Sequence, residues 1–126
     1  MSEQTIVNEN DVEWIKLESL PGVAGKLLAL DRETKAHSYL VKYDPGTVFP
    51  RHKHPCLEQI YIVEGEVEYD GEVHTAGTHF IFPAGYEHGP FENKVQLKEL
   101  VFFEGMSGLE EMVPEIRELF KNEGIL

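Results

Sequence analysis

An all-β fold with a single C-terminal helix is what the sequence predicts, and three observations carry the prediction. Short runs rich in β-branched and aromatic residues alternate with Gly, Pro and Asp-Gly turn signals, roughly every six to ten residues, from residue 12 to residue 103. No 3.6-residue apolar period occurs in that stretch. Such a period appears only afterwards, in residues 107–124. A chain of 126 residues fits one domain with a real core.

The elements follow in order. Residues 1–10 are polar and are expected to be loose; the barrel or sandwich should span 11–104. Val12 to Leu17, with the only tryptophan, is a short strand, and Pro21-Gly22 is a turn. Gly25 to Leu30 reads as strand because it is short and flanked by turns. His37 to Tyr43 places Tyr39, Val41 and Tyr43 on one face. After Asp44-Pro45-Gly46, the segment His52–His54 is expected to be extended. Glu58 to Val63 is β-rich and stops at Glu64-Gly65. Asp70-Gly71 between two short runs is a hairpin signal, since both positions tolerate positive φ. Thr78 to Phe82 ends at Pro83, and Val95 to Phe103 is the last long strand. Leu109, Met112, Val113, Ile116, Leu119 and Phe120 form one helical stripe, expected to pack on the β-structure. Ser107 with Glu110 has capping-box spacing, Pro114 suits a first turn, and Gly124 is a stop.

Composition excludes several classes. A formal net charge of -12 disfavours nucleic acid and anionic lipid, which would repel the chain. One cysteine, Cys56, allows no internal disulfide and fits a reducing compartment. No apolar run approaches a membrane span, and MSEQTIVNEN lacks the basic and apolar regions of a signal peptide. A cytoplasmic protein is the expectation.

The chemistry-bearing residues lie in two glycine-bounded stretches. His52 and His54 are two apart, so an extended backbone turns both imidazoles to one face. Pro55 interrupts pairing, and Glu58 can return a carboxylate towards the same point. His88, in FPAGYEHGPFEN, is a fourth candidate. Three imidazoles and a carboxylate suit Fe(II), Mn(II), Ni(II), Cu(II) or Zn(II). On a six-coordinate ion four protein ligands leave two positions for substrate or oxygen; on tetrahedral zinc they leave none.

The spacing from Gly46 through His52, His54 and Glu58 to Gly65 resembles the first motif of the cupin superfamily at every fixed position. Gly77, Pro83, Gly85 and His88 resemble the second. Glu92 stands where that motif has asparagine, with Asn93 displaced by one. The flanks, PGVAGKLLAL, YDPGTVFPRHKH and PAGYEHGP, are similar to small cupins related to anti-sigma-factor cupin domains and to acetylacetone-type and dihydroxyacetophenone-type dioxygenases. The resemblance implies a small antiparallel barrel of jelly-roll type, usually dimeric, holding one divalent metal on His52, His54, Glu58 and His88, with Fe(II) favoured. It also implies a metal-dependent dioxygenase-like enzyme acting on a small carbonyl or phenolic substrate. A ligand- or oxidant-sensing module and a metal-dependent isomerase are the alternatives.

Glu58 is the candidate catalytic residue, because no separate general base stands out and Glu92 is a weak substitute. His37, His74 and His79 fall outside both motifs and read as ordinary. Cys56 reads as an inert thiol, with a ligand or redox role as the lesser reading. Ile60 and Ile62 share parity with Glu58 and should face inward. Tyr61, Phe80, Phe82, Tyr86, Phe91 and Phe102 are candidates for a substrate pocket. Tyr61, Val63, Val101 and Phe103 are expected on an outer, apolar face that pairs two copies of the chain.

Overall fold

The computed structural model describes residues 4–126. Ten strands run in chain order: β1 (Ile15–Lys16), β2 (Val23–Leu30), β3 (His37–Tyr43), β4 (Thr47–Phe49), β5 (Glu58–Glu64), β6 (Glu66–Tyr69), β7 (Glu72–Thr75), β8 (His79–Phe82), β9 (Phe91–Asn93) and β10 (Leu97–Phe103). They form two antiparallel sheets, one ordered β1-β2-β3-β10-β5-β8 and the other β4-β9-β6-β7. Apolar side chains from the two sheets meet in a single core that includes Ile60, Ile62, Val67, Leu97, Val101 and Phe103. None of the described helices is long and apolar enough to cross a membrane.

The turn chemistry acts as the sequence requires. Asp70 and Gly71 both have positive φ (53° and 78°) between β6 and β7. Gly65 is demanded by crowding as well as conformation, for a Cβ there would lie 2.1 Å from the Gln96 carbonyl oxygen. Near the N-terminus, Glu9–Asp11 forms one 3-10 turn. Buried Lys26 ties it down, reaching Glu9 Oε2 at 2.7 Å and lying 4.6 Å above the Trp14 ring.

The C-terminal helix is present as a pair, α1 (Leu109–Met112) and α2 (Pro114–Asn122). Val113 between them is extended, and Pro114 opens α2 in the first turn, where its missing N–H costs nothing. The break resets the helical phase. Leu109, Val113, Ile116 and Phe120 are buried against the barrel, whereas Met112 turns to solvent. The Ser107 hydroxyl accepts from the Leu109 N–H, although the N-cap position itself is Gly108. Gly124 closes α2 in a Schellman arrangement: its N–H donates to the Lys121 carbonyl, and the Ile125 N–H to the Phe120 carbonyl.

One sequence expectation is corrected here. Val101 and Phe103 do not lie on an outer face; they are 5% and 1% exposed, and Leu100 points outward instead. The run LKELVFF is apolar on both parities, and its adjacent charges Lys98 and Glu99 fall one on each face. Pairing settles the phase, because Phe103 lies opposite Glu58 and shares its inward side. Tyr61 and Val63 do face outward, joined by Ile81 and Leu100. Short β9 was not anticipated; Asn93, facing inward from it, donates to the carbonyls of Asp44 and Val95 at 2.8 Å each. Asn93 thus ties two loops together, while Glu92 is exposed.

Candidate metal centre

The four motif side chains converge. Ligand-type atoms of His52, His54, Glu58 and His88 all lie within 4.8 Å of one another. His54, Glu58 and His88 are buried, and His52 is half-buried. The convergence is built by backbone pairing rather than by a strand through both histidines. His52 and His88 form an isolated bridge, exchanging N–H···O bonds of 2.9 and 2.8 Å, which puts both side chains on one face. The expected extended strand over His52–His54 is therefore a single bridge, because Pro50 and Pro55 bracket the segment and lack donors. The His54 carbonyl accepts from the Gly85 N–H at 2.8 Å, a second stitch between the two motifs. Glu58 opens β5 between β10 and β8, opposite Phe103 and Phe82.

Each histidine is held by its far nitrogen. Nδ1 of His52 lies 2.7 Å from the Pro50 carbonyl oxygen, that of His54 2.8 Å from Ser107, and that of His88 3.0 Å from Tyr86. A carbonyl can only accept, so each Nδ1 carries a proton, and in the neutral ring that a metal requires Nε2 keeps a lone pair. Among the described buried atoms without a hydrogen-bond partner are His54 Nε2, His88 Nε2 and Glu58 Oε1. Glu58 Oε1 is 2.9 Å from His88 Nε2 and 3.5 Å from His54 Nε2. Acceptors this close and otherwise partnerless fit a cation among them, and the donor set suits a divalent transition ion. Burial is the largest cause that lowers the His52 pKa to about 4, offset in part by the Pro50 carbonyl. That ring is neutral at physiological pH, the form a metal requires. Aromatic rings wedge the imidazoles: Phe82 stacks on His88 at 4.2 Å, Phe103 meets His54 at 4.8 Å, and Phe49 meets His52 at 4.9 Å.

The cluster opens on a largely apolar cavity of about 90 Å³, whose wall includes His52, His54 and Glu58. Ile60 lines it as expected, and Ile62 is fully buried in the core. Of the aromatic candidates, Phe91 lines the cavity and Phe82 backs His88. Phe80 stacks on Phe82 instead. Tyr61 and Tyr86 are exposed, and Phe102 has the opposite parity to inward Val101 and Phe103. The wall also holds Glu99, which the sequence did not single out, together with Tyr39, Tyr43, Asn93 and Glu115. Glu99 is 4% exposed, and burial pushes its pKa up to about 7; the Tyr43 hydroxyl draws it down, and the charge of Glu58 raises it further. The only signal for Glu99 was a charge on the inward parity of β10, and that parity becomes visible only through pairing with β5.

The remaining histidines and Cys56 stand apart from the cluster. His79 is exposed beside Gln59, His74 packs on Phe80, and His37 is buried among aromatic rings. Cys56 Sγ points to the Gly105 carbonyl at 3.5 Å, and burial raises its pKa, which disfavours the thiolate.

The sequence matches the ChrR cupin-like domain family over residues 2–105. The chain belongs to that family and is a cupin. Solved cupins share its architecture. KdgF from a Halomonas species is 26% identical, with a TM-score of 0.67 over 85% of this chain and 99% of that one. The anti-sigma protein ChrR of Rhodobacter sphaeroides, solved with SigE, is 25% identical, with a TM-score of 0.62 over 76% of this chain and 50% of that one. An acetylacetone dioxygenase from Acinetobacter johnsonii is 19% identical, with a TM-score of 0.67 over 83% and 75%. A search of curated protein sequences finds no significant match. The two cupin motifs thus carry the ligand cluster in this chain, and the buried Glu99 lies outside both of them.

Proposed function

We propose that this cupin is a metal-dependent enzyme of the dioxygenase type acting on a small carbonyl or phenolic molecule. The observation that carries the reading is the placement of three partnerless ligand atoms, His54 Nε2, His88 Nε2 and Glu58 Oε1, in a cluster that opens on an apolar cavity. A divalent transition ion held by His52, His54, Glu58 and His88, Fe(II) by preference, supplies Lewis-acid and redox chemistry. The chain's own contribution is to fix the imidazoles by their Nδ1 bonds, to keep Glu58 as the one anionic ligand, and to exclude water with Val41, Ile60 and Val101. Glu58 is the ligand through which substrate ionisation would be felt. The acetylacetone dioxygenase neighbour shares the fold and makes diketones a reasonable first panel.

Oxygen uptake by iron-loaded protein, with diketones and hydroxylated aryl ketones, tests the reading. Uptake that requires the metal and is lost in Glu58→Gln beyond the loss of metal supports it. Absence of uptake across the panel in fully loaded protein contradicts it.

Membership of the ChrR cupin-like family favours a second reading, a ligand- or oxidant-sensing module. An oxidant sensor would need a reactive group, and the raised pKa of Cys56 argues against that thiol. A working assembly of two copies is part of the proposal, through the outward face bearing Tyr61, Val63, Ile81 and Leu100. A sedimentation mass of two chains at micromolar concentration supports it, and a mass of one chain rejects it.

A further inference from the structure

The cavity holds a carboxyl group that the fold does not need. The other inward positions of β10, Leu97, Val101 and Phe103, are all apolar, so the packing rule for this strand calls for an apolar residue at position 99. Glu99 sits there instead, 4% exposed, with no Lys or Arg among the residues lining the cavity. Burying a carboxyl without a cation is unfavourable, and such groups concentrate at working sites. Of the other polar groups of the wall outside the ligand cluster, Asn93 and Glu115 have partners elsewhere, while the Tyr39 hydroxyl has none and offers no charge. The Asn93 amide is spent on backbone carbonyls, and Glu115 is engaged by the Ser19 hydroxyl at 3.2 Å. Tyr43 faces Glu99 and packs at 6.3 Å on Phe49, which in turn meets His52. One unbroken set of side chains thus joins the carboxyl to the metal ligands along the same cavity.

We propose that Glu99 is the catalytic base of this site, taking a proton from the bound carbonyl or phenolic substrate while the Tyr43 hydroxyl orients its carboxylate. This rests on the reading that the cavity binds such a molecule. The step is a plain proton transfer. A C–H bond next to the carbonyl, or a phenolic O–H bond, breaks, and an O–H bond forms on a Glu99 oxygen. The electron pair stays on the substrate as an enolate or phenolate, and nothing is oxidised or reduced. A pKa near 7 suits the task, because the group is then ready both to accept and to return a proton at neutral pH.

The test is deuterium exchange rather than turnover. Full-length protein carrying one nickel ion per chain is incubated under nitrogen in D2O with hydroxyacetone and with 2-hydroxyacetophenone. Label uptake at the CH2 group is read by mass spectrometry after quenching. Wild-type protein should exchange at least one probe well above buffer. Glu99→Gln should lose about 100-fold of that rate with metal content unchanged, and Glu99→Asp should retain part of it. Tyr43→Phe should move the midpoint of the pH–exchange profile upward, since the hydroxyl holds the Glu99 pKa down. Exchange in Glu99→Gln equal to wild type, or no exchange of either probe by wild type, overturns the assignment. Exchange that depends on Glu99 in a protein that consumes no oxygen keeps the base and discards the dioxygenase. Oxygen uptake that is indifferent to Glu99→Gln does the reverse.

Discussion

Phe103 separates two groups of buried polar side chains, and they differ in an instructive way. On one side are His54, Glu58 and His88; on the other are His37, Tyr39 and Glu110. Both groups contain buried polar atoms without hydrogen-bond partners. Both use the same device to set a histidine: Nδ1 of His37, like those of His52 and His88, bonds the carbonyl two residues back. The difference is what the free Nε2 meets. In the motif cluster it meets other acceptors, with a carboxylate oxygen at 2.9 Å from His88. At His37 the ring instead lies between Tyr39, Phe103 and Phe120, with centroids 5.1 to 5.3 Å away. Burial lowers the His37 pKa, which keeps the ring neutral there too. A fixed tautomer alone therefore does not make a metal site; several lone pairs aimed at one point do.

Making the same substitution on both sides breaks the comparison most sharply. His88→Phe should lower metal affinity by more than about 100-fold, since even partners behind a ligand are worth 10–100-fold. His37→Phe should leave metal affinity unchanged, with stability within about 1 kcal/mol of wild type, because one orphan nitrogen is lost along with one hydrogen bond. Isothermal titration with Mn(II) and chemical denaturation read both quantities. Comparable losses of affinity in the two variants would erase the distinction.

Glu99 extends the comparison to a buried carboxyl that lies in neither group. Its folded-state pKa of about 7 lies above the ordinary 4.5, so the native state binds the extra proton between those values. Stability contributed by protonated Glu99 is full below pH 4.5 and is lost as pH rises through 7. In metal-free protein, Glu99→Gln should therefore match wild type near pH 4.5 and exceed it by about 1–3 kcal/mol at pH 8. Thermal melts across that range check the sign; a gap that narrows with rising pH would show that Glu99 is not buried as described. His52 adds a slope of the opposite sign below pH 6.5, present in both proteins, so only the difference between them is diagnostic.

Phe103→Leu probes the divider itself and should have the smallest effect. A shape change in a packed core costs about 1 kcal/mol. By loosening the wedge on His54 it should also lower metal affinity several-fold, without touching a ligand. Manganese titration of this variant reads the loss. A full loss of binding would show that the ring, and not the Nδ1 bonds, holds the centre together.

The sequence exposed one side of this comparison and hid the other, for physical reasons. The motif ligands are legible because turn glycines, prolines and strand parity act within short stretches, and His52, His54, Glu58 and His88 each sit at a fixed distance from such a marker. The Asp70-Gly71 hairpin, the burial of Ile60 and Ile62 and the Gly124 stop were legible for the same local reason. Glu99 and the inward phase of Val101 and Phe103 depend on which residue of β5 lies opposite, a long-range fact that no local pattern in LKELVFF contains. The break at Val113 was signalled by Pro114, but the outward turn of Met112 follows only once the two short helices dock separately.

The most direct test of the account is the metal content of the chain. Full-length protein, incubated with Fe(II) or Mn(II) under nitrogen and then dialysed, is assayed by plasma mass spectrometry against protein concentration, beside His88→Phe and the double variant His54→Ala/Glu58→Ala. The account predicts one ion per chain in the wild type and a small fraction of that in both variants. Wild-type protein that emerges without metal, or variants that keep a full equivalent, would contradict it.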